Sequence, residues 1–232
     1  MGGIPMKKKW RFTVGVLFIL VGIGIVLIPF ITQSKNAKVQ KALLQKYDLL
    51  ISDNISNLMS TMQPIEQEKE EVFVDFSEHT ETTTDFSKYA QDNVKDIVSQ
   101  QKIIGLISCD KLDMKLVVVE GANKENLRAT IGHIEKTSAI GEEGNCVLAG
   151  HRGGYYGEFF QNIHMLAEGD IVTVTDIRNQ SYQYKVYEQF VVEPTEVWIC
   201  NPIEGEDTLT LLSCEDNGTR RIVVRCRKMS AN

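Results

Sequence analysis

The chain has 232 residues, 43% of them hydrophobic and 24% charged, and a formal net charge of −6. That fits one globular domain with added segments and gives no hint of the basic surface a nucleic-acid binder needs. Its five cysteines, at 109, 146, 200, 214 and 226, are an odd number with no CxxC spacing, so neither a zinc ribbon nor a complete disulfide framework is implied. Charge is uneven: KKKWR at 7–11 is basic, and 66–85 is strongly acidic.

Residues 12–31, FTVGVLFILVGIGIVLIPFI, carry no charge, and about 20 such residues suffice to cross a bilayer as a helix. Lys7, Lys8, Lys9 and Arg11 crowd the front edge beside Trp10, which predicts a cytoplasmic N-terminus and an external C-terminus. Lys35, Lys38 and Lys41 behind the span soften that bias. No small-x-small cleavage site follows, so the segment reads as a retained anchor rather than a signal peptide. This expectation divides the chain into a cytoplasmic tail (1–11), a transmembrane anchor (12–31), a juxtamembrane region (32–101) and a catalytic domain (102–232).

Behind the anchor, Val39, Leu43, Tyr47, Leu50, Ile55, Leu58 and Met62 recur at helical spacing, predicting a helix over 36–63 that Pro64 closes. The acidic stretch to about residue 86 has little to bury and reads as a solvated linker without the spacing of an EF-hand. A short amphipathic helix is expected near 87–99.

From residue 102 the texture changes. KIIGLIS, MKLVVVEG, NCVLAG, DIVTVTD, SYQYKVYEQFVV, TLTLLS and RIVVRCR are rich in β-branched residues and bounded by Gly, Asp, Asn or Pro. Seven or eight such runs predict a mainly β domain, a single antiparallel-rich barrel or sandwich. KENLRATIG (124–132) and YGEFFQNI (156–163) read as short helical insertions.

The run TLTLLSCEDNGTRR, residues 208–221, ends a strand on a cysteine and returns with two arginines. A structural thiol favours a strand interior, whereas a reactive one needs partial exposure and nearby positive charge. Alternation places Thr208, Thr210, Leu212 and Cys214 on one face, and Arg221, Val223, Arg225 and Arg227 on one face of the next strand. If the two strands pair across the EDNGT turn, Cys214 and Arg221 share an exterior groove and Arg220 points away. The other cysteines read differently: 109, 146 and 226 as buried packing, and Cys200 as exposed on a loop.

A nucleophilic cysteine needs a base. Of the four histidines, His79 lies in the acidic linker and His164 in a surface turn, while His133 in IGHIE is a competitor. His151 ends the run NCVLAG and opens HRGGYYG, so a strand delivers it to a loop mouth, where catalytic side chains concentrate.

NCVLAGHRGG together with TLTLLSC…RRIVVR resembles the sortases, cysteine transpeptidases of Gram-positive cell surfaces. FFQNIHMLAEGDIVTV and VVEPTEVWICNPIEGEDTLTL are similar to further stretches of that family, and the likeness runs in order over 102–228. It implies a sortase-like closed β-barrel of seven or eight strands with short helices. It also implies that Cys214 is the nucleophile, His151 the general acid/base and Arg221 the oxyanion stabiliser. Ser213 stands where the family usually has Thr, and Arg220 is a neighbouring alternative to Arg221.

The implied substrates are LPxTG-like sorting signals, with a peptidoglycan precursor or a pilin lysine as acceptor and no cofactor or metal. TDFSKY lacks the Pro of the lid found in pilus-building members, which favours anchoring of single proteins. The loop 193–207 is long for the connection it makes. Its Pro194, Val197, Trp198 and Ile199 read as a wall for an extended peptide, the alternative being that Trp198 only caps the barrel.

Overall fold

In the computed structural model the residues described are 15–18, 22–23, 36–56, 94–153, 159–215 and 219–230. Most of the expected anchor (12–31), the acidic linker and residues 154–158 and 216–218 lie outside them. Among the described residues no helix is long and apolar enough to cross a membrane; residues 15–18 and 22–23 are helical, with Val16, Leu17, Phe18 and Ile23 exposed.

Helix α1 (36–56) and helix α2 (Val94–Ser99) precede the barrel. Eight strands follow: β1 (Ile103–Cys109), β2 (Met114–Glu120), β3 (Ile131–His133), β4 (Asn145–Ala149), β5 (Ile171–Asp176), β6 (Ser181–Val192), β7 (Thr208–Glu215) and β8 (Arg220–Lys228). They close in the order β1-β2-β3-β4-β7-β8-β6-β5, with β5 returning to β1. Closure leaves no sheet edge to template aggregation. Most pairs are antiparallel, but β2–β3 and β4–β7 are parallel.

Two features differ from the sequence expectation. The helix expected through KENLRATIG, α3 (Lys124–Ala129), is capped by Asn123 and stops before residue 130. After Thr130, Ile131–His133 form β3, too short a run to announce itself by alternation. Of the second insertion, residues 156–158 lie outside the described residues; 159–162 are turns, followed by a 3₁₀ turn at Ile163–Met165.

The barrel interior is filled by Ile107, Val118, Leu148, Phe160, Leu209, Leu211 and Val224 among others. A second cluster lies on the outer face of β1 and β2. There Val39, Leu43 and Tyr47 of α1 pack against Ile103, Leu106, Val117 and Val119. Gln40 Nε2 donates to the Ala129 carbonyl (2.6 Å), Lys46 Nζ to those of Val98 (2.8 Å) and Gln101 (2.9 Å), and Asn54 Nδ2 to that of Ile177 (2.8 Å). The helix expected to be juxtamembrane therefore shares a core with the barrel.

Candidate active site

Two parallel strands build the site. In β4–β7 the register pairs Asn145 with Thr208 and Ala149 with Leu212. Carried two residues past the pair Ala149/Leu212, the same offset brings His151 level with Cys214 at the ends of the two strands.

Three contacts bind the His151 segment down. The Gly150 N–H donates to the Leu212 carbonyl (3.1 Å), and Ser213 Oγ donates to the Gly150 carbonyl (2.9 Å). The hydroxyl that Ser213 keeps in place of Thr thus points inward and holds the residue before the histidine. The Phe160 N–H donates to the His151 carbonyl (2.8 Å). Gly150 is required there, because a Cβ would lie 2.6 Å from Ile131 Cδ1 and 2.9 Å from the Phe160 ring.

Cys214 and Arg221 are direct cross-strand partners in β7–β8, and Glu215 faces Arg220. The alternation argument holds: Ile222, Val224 and Cys226 enter the core, so Arg221 stays on the face of Cys214. Cys214 is a free, half-buried thiol. Arg221 is also half-buried, and its Nη1 donates to the Arg220 carbonyl (3.0 Å). Half-burial beside an arginine is a setting in which a thiol can be reactive.

Burial, and secondarily the charge of Arg128 on α3, lowers the pKa of His151 from 6.5. The neutral imidazole is therefore favoured. Burial pushes the Cys146 thiol up to about 12 and raises Cys226 and Cys200 as well, which disfavours their thiolates. Cys109, Cys146 and Cys226 are buried as expected; Cys200 is half-buried.

The competing histidines have structural surroundings. His133 is buried, its Nδ1 2.9 Å from Glu120 Oε1, and its Nε2 donates to the Ser138 carbonyl (3.0 Å). His164 is exposed, with Nδ1 3.0 Å from the Gln161 carbonyl. His79 lies outside the described residues.

The β6–β7 loop folds onto the outer barrel face. Asn145 Nδ2 donates to the carbonyls of Ile199 (3.0 Å) and Asn201 (3.2 Å), while its Oδ1 accepts from Thr208 Oγ1 (3.2 Å) and Thr210 Oγ1 (2.8 Å). Trp198 stacks on Phe190 of β6, centroids 5.7 Å apart, and Arg225 of β8 lies over both rings at 5.1 and 5.3 Å.

This cover explains why Val223 and Arg225, on the outward face of β8, are buried. Of the four expected wall residues, Pro194, Val197 and Trp198 are exposed, whereas Ile199 is 4% exposed and turns under the loop. Among the described residues no group of three or more His, Cys, Asp or Glu side chains is placed to hold a metal ion.

Sequence reasoning missed Asn145, Arg128, Arg152 and Glu215. Arg152 Nη1 donates to Glu215 Oε2 and lies 3.5 Å from the Cys214 carbonyl. In the sequence the pair shows only as a charge directly after His151 and an opposite charge directly after Cys214, with nothing to say that the two meet.

A closed eight-stranded barrel with a half-buried thiol, a facing arginine and a histidine at the end of the adjoining strand defines a cysteine-nucleophile enzyme architecture. The sortase domain matches residues 107–229, and the chain belongs to the sortase family, a family of cysteine transpeptidases. Sortase A of Bacillus anthracis is 28% identical over 157 residues, covering 65% of this chain and 73% of the relative. Among solved structures, sortase C1 of Streptococcus agalactiae is 32% identical with a TM-score of 0.52, over 55% of this chain and 68% of that one. Sortase D5 transpeptidase of Clostridium perfringens is 29% identical with a TM-score of 0.52, over 62% of this chain and 94% of that one.

Proposed function

We propose that the protein is a membrane-anchored transpeptidase that cleaves an LPxTG-like sorting signal and transfers the acyl part to an amine of the cell wall. The observation that carries the reading is the cross-strand pairing of Cys214 with Arg221, at the end of the strand adjoining the one that delivers His151.

The Cys214 thiolate attacks the scissile carbonyl, and the guanidinium of Arg221 stabilises the oxyanion. The C–N bond then breaks as the His151 imidazolium gives its proton to the departing amine, leaving a thioester. An incoming amine attacks the thioester, loses its proton to neutral His151, and releases the thiolate. Burial and Arg128 favour the neutral imidazole, which suits the second half-reaction and leaves the imidazolium a minority form for the first.

The anchor is part of the proposal. Residues 12–31 carry no charge, and those described within them are helical with exposed Leu17 (61%) and Phe18 (72%), as a lipid-facing helix requires. The catalytic barrel then lies outside the cell membrane, held by a single span. A second reading, which rests on the family resemblance alone, is a sortase that polymerises pilins through a lysine amine.

The test is mass spectrometry of residues 36–232 incubated with a sorting-peptide library and an amine. An acyl adduct on Cys214 and an amide product support the reading. Free acid alone indicates a thiol protease, and no adduct at all rejects the mechanism.

A further inference from the structure

The catalytic histidine and cysteine are each followed by a charge, and the two charges meet. Arg152 Nη1 donates to Glu215 Oε2 across 63 residues of chain, the same offset that pairs β4 with β7. The ion pair therefore continues the parallel ladder one step beyond the level of His151 and Cys214, where backbone hydrogen bonding between the strands has ended.

Between β4 and β7 the backbone ladder stops short of His151. The β4–β7 ladder ends at Ala149/Leu212, and its last cross-links are the bonds from Gly150 to Leu212 and from Ser213 to Gly150. Past Arg152 the chain enters Gly153, with maximal freedom for a residue outside regular structure. The Phe160 N–H holds the His151 carbonyl, and a further contact from the neighbouring residue to the cysteine strand helps to fix where His151 stands relative to Cys214. Arg152 supplies that contact twice, to the carboxylate and, at 3.5 Å, toward the Cys214 carbonyl.

Shielding makes the contact count. The Arg152 side chain is 30% exposed and that of Glu215 21%. An ion pair of this kind is less screened than one on the open surface, where the gain is small.

We propose that Arg152 and Glu215 form a positioning brace that sets the distance between His151 and Cys214 for proton transfer. The inference deepens the transpeptidase reading above and rests on it. Neither residue contacts the reacting atoms. They act through the two that do, and the substrate groove walled by the β6–β7 loop is untouched.

The test separates turnover from binding. In peptide transfer to an amine, Arg152→Ala and Glu215→Ala are each expected to lower kcat by about 10²-fold, the scale of a small misplacement of reacting groups. KM and the melting temperature stay near the wild-type values. The charge-reversed double variant, Arg152→Glu with Glu215→Arg, regains most of the lost kcat. Unchanged kcat in the single variants overturns the brace, as does a double variant no better than the worse single one.

A second measurement needs no sorting peptide and keeps the two readings apart. The alkylation rate of Cys214 by iodoacetamide, followed on its own peptide by mass, is recorded against pH for the wild type and for His151→Gln. The step that the His151 substitution removes reports the His–Cys coupling. Arg152→Ala is expected to shift that step, and Arg152→Lys to shift it less. An unmoved step overturns the brace even if the wild type makes no amide product, an outcome that would count against the transpeptidase reading.

Discussion

Cys214 and Arg221 face each other directly across β7 and β8, whereas Arg220 faces Glu215. One step of register thus decides which of two adjacent arginines is the cross-strand partner of Cys214. Because a one-residue slip would move every side chain to the other face, the apolar residues Ile222, Val224 and Cys226 that fill the core are what hold Arg221 in place.

The first prediction follows from that register. Arg221→Lys keeps the charge but loses the planar fork, and is expected to lower kcat/KM by about 10²–10³-fold, the scale for loss of an oxyanion donor. Arg220→Lys is expected to change it by less than about tenfold on the same scale. Steady-state kinetics with a sorting peptide compare the two. A larger loss from Arg220→Lys would reverse the assignment.

The second concerns protons. The pKa of His151 is held below 6.5 by burial and then by Arg128, so near and below pH 6.5 the unfolded chain binds more protons at this site than the folded one. Stability from this site is therefore present above pH 6.5 and is lost as pH falls through the lowered pKa. Arg128→Gln removes one of the two causes. The His151 pKa, read from the imidazole Cε1 proton, is expected to rise, and the acid-side fall in urea midpoint to shrink. An unchanged His151 titration would refute the coupling.

The facing of Cys214 and Arg221 was legible in the sequence because β-strand alternation is strictly local: β7 and β8 each carry their own parity. What crosses the chain was not legible. Nothing in NCVLAG shows that it runs parallel to TLTLLS, so the meeting of Arg152 with Glu215 had no local signature. Arg225 reads as exposed in RIVVRCR, yet it is buried because a loop some 25 residues earlier folds over it with Trp198. The amphipathic pattern of 36–56 announced a helix, but amphipathicity does not name the surface that it covers.

That surface gives the third prediction. Leu43 is fully buried between α1 and the outer face of β1 and β2. Leu43→Ala is expected to destabilise the barrel by about 2–5 kcal/mol, as for other large-to-small core changes. Urea unfolding followed by Trp198 fluorescence checks it, since the reporter sits in the β6–β7 loop and not on the helix. A helix that only tethered the domain would leave that transition where it was.

The last prediction concerns recognition. The β6–β7 loop is fixed at two points: Asn145 holds the backbone of Ile199 and Asn201, and Arg225 with Phe190 holds the Trp198 ring. Between Glu193 and these anchors, Pro194 and Val197 are exposed, Val197 by 76%. An extended peptide is therefore offered Pro194, Val197 and the open edge of Trp198, while Ile199 serves as the loop's own core. Trp198→Ala removes a stacked ring and a cation–π contact worth roughly 0.5–2 kcal/mol, loosening the loop without touching the thiol. It is expected to raise KM for the sorting peptide several-fold and leave the iodoacetamide reactivity of Cys214 unchanged. Exchanging residues 194–203 for the loop of another sortase, with the asparagine contacts kept, is expected to change which peptide is preferred. A folded chimera with the original preference would move specificity to the segment after His151.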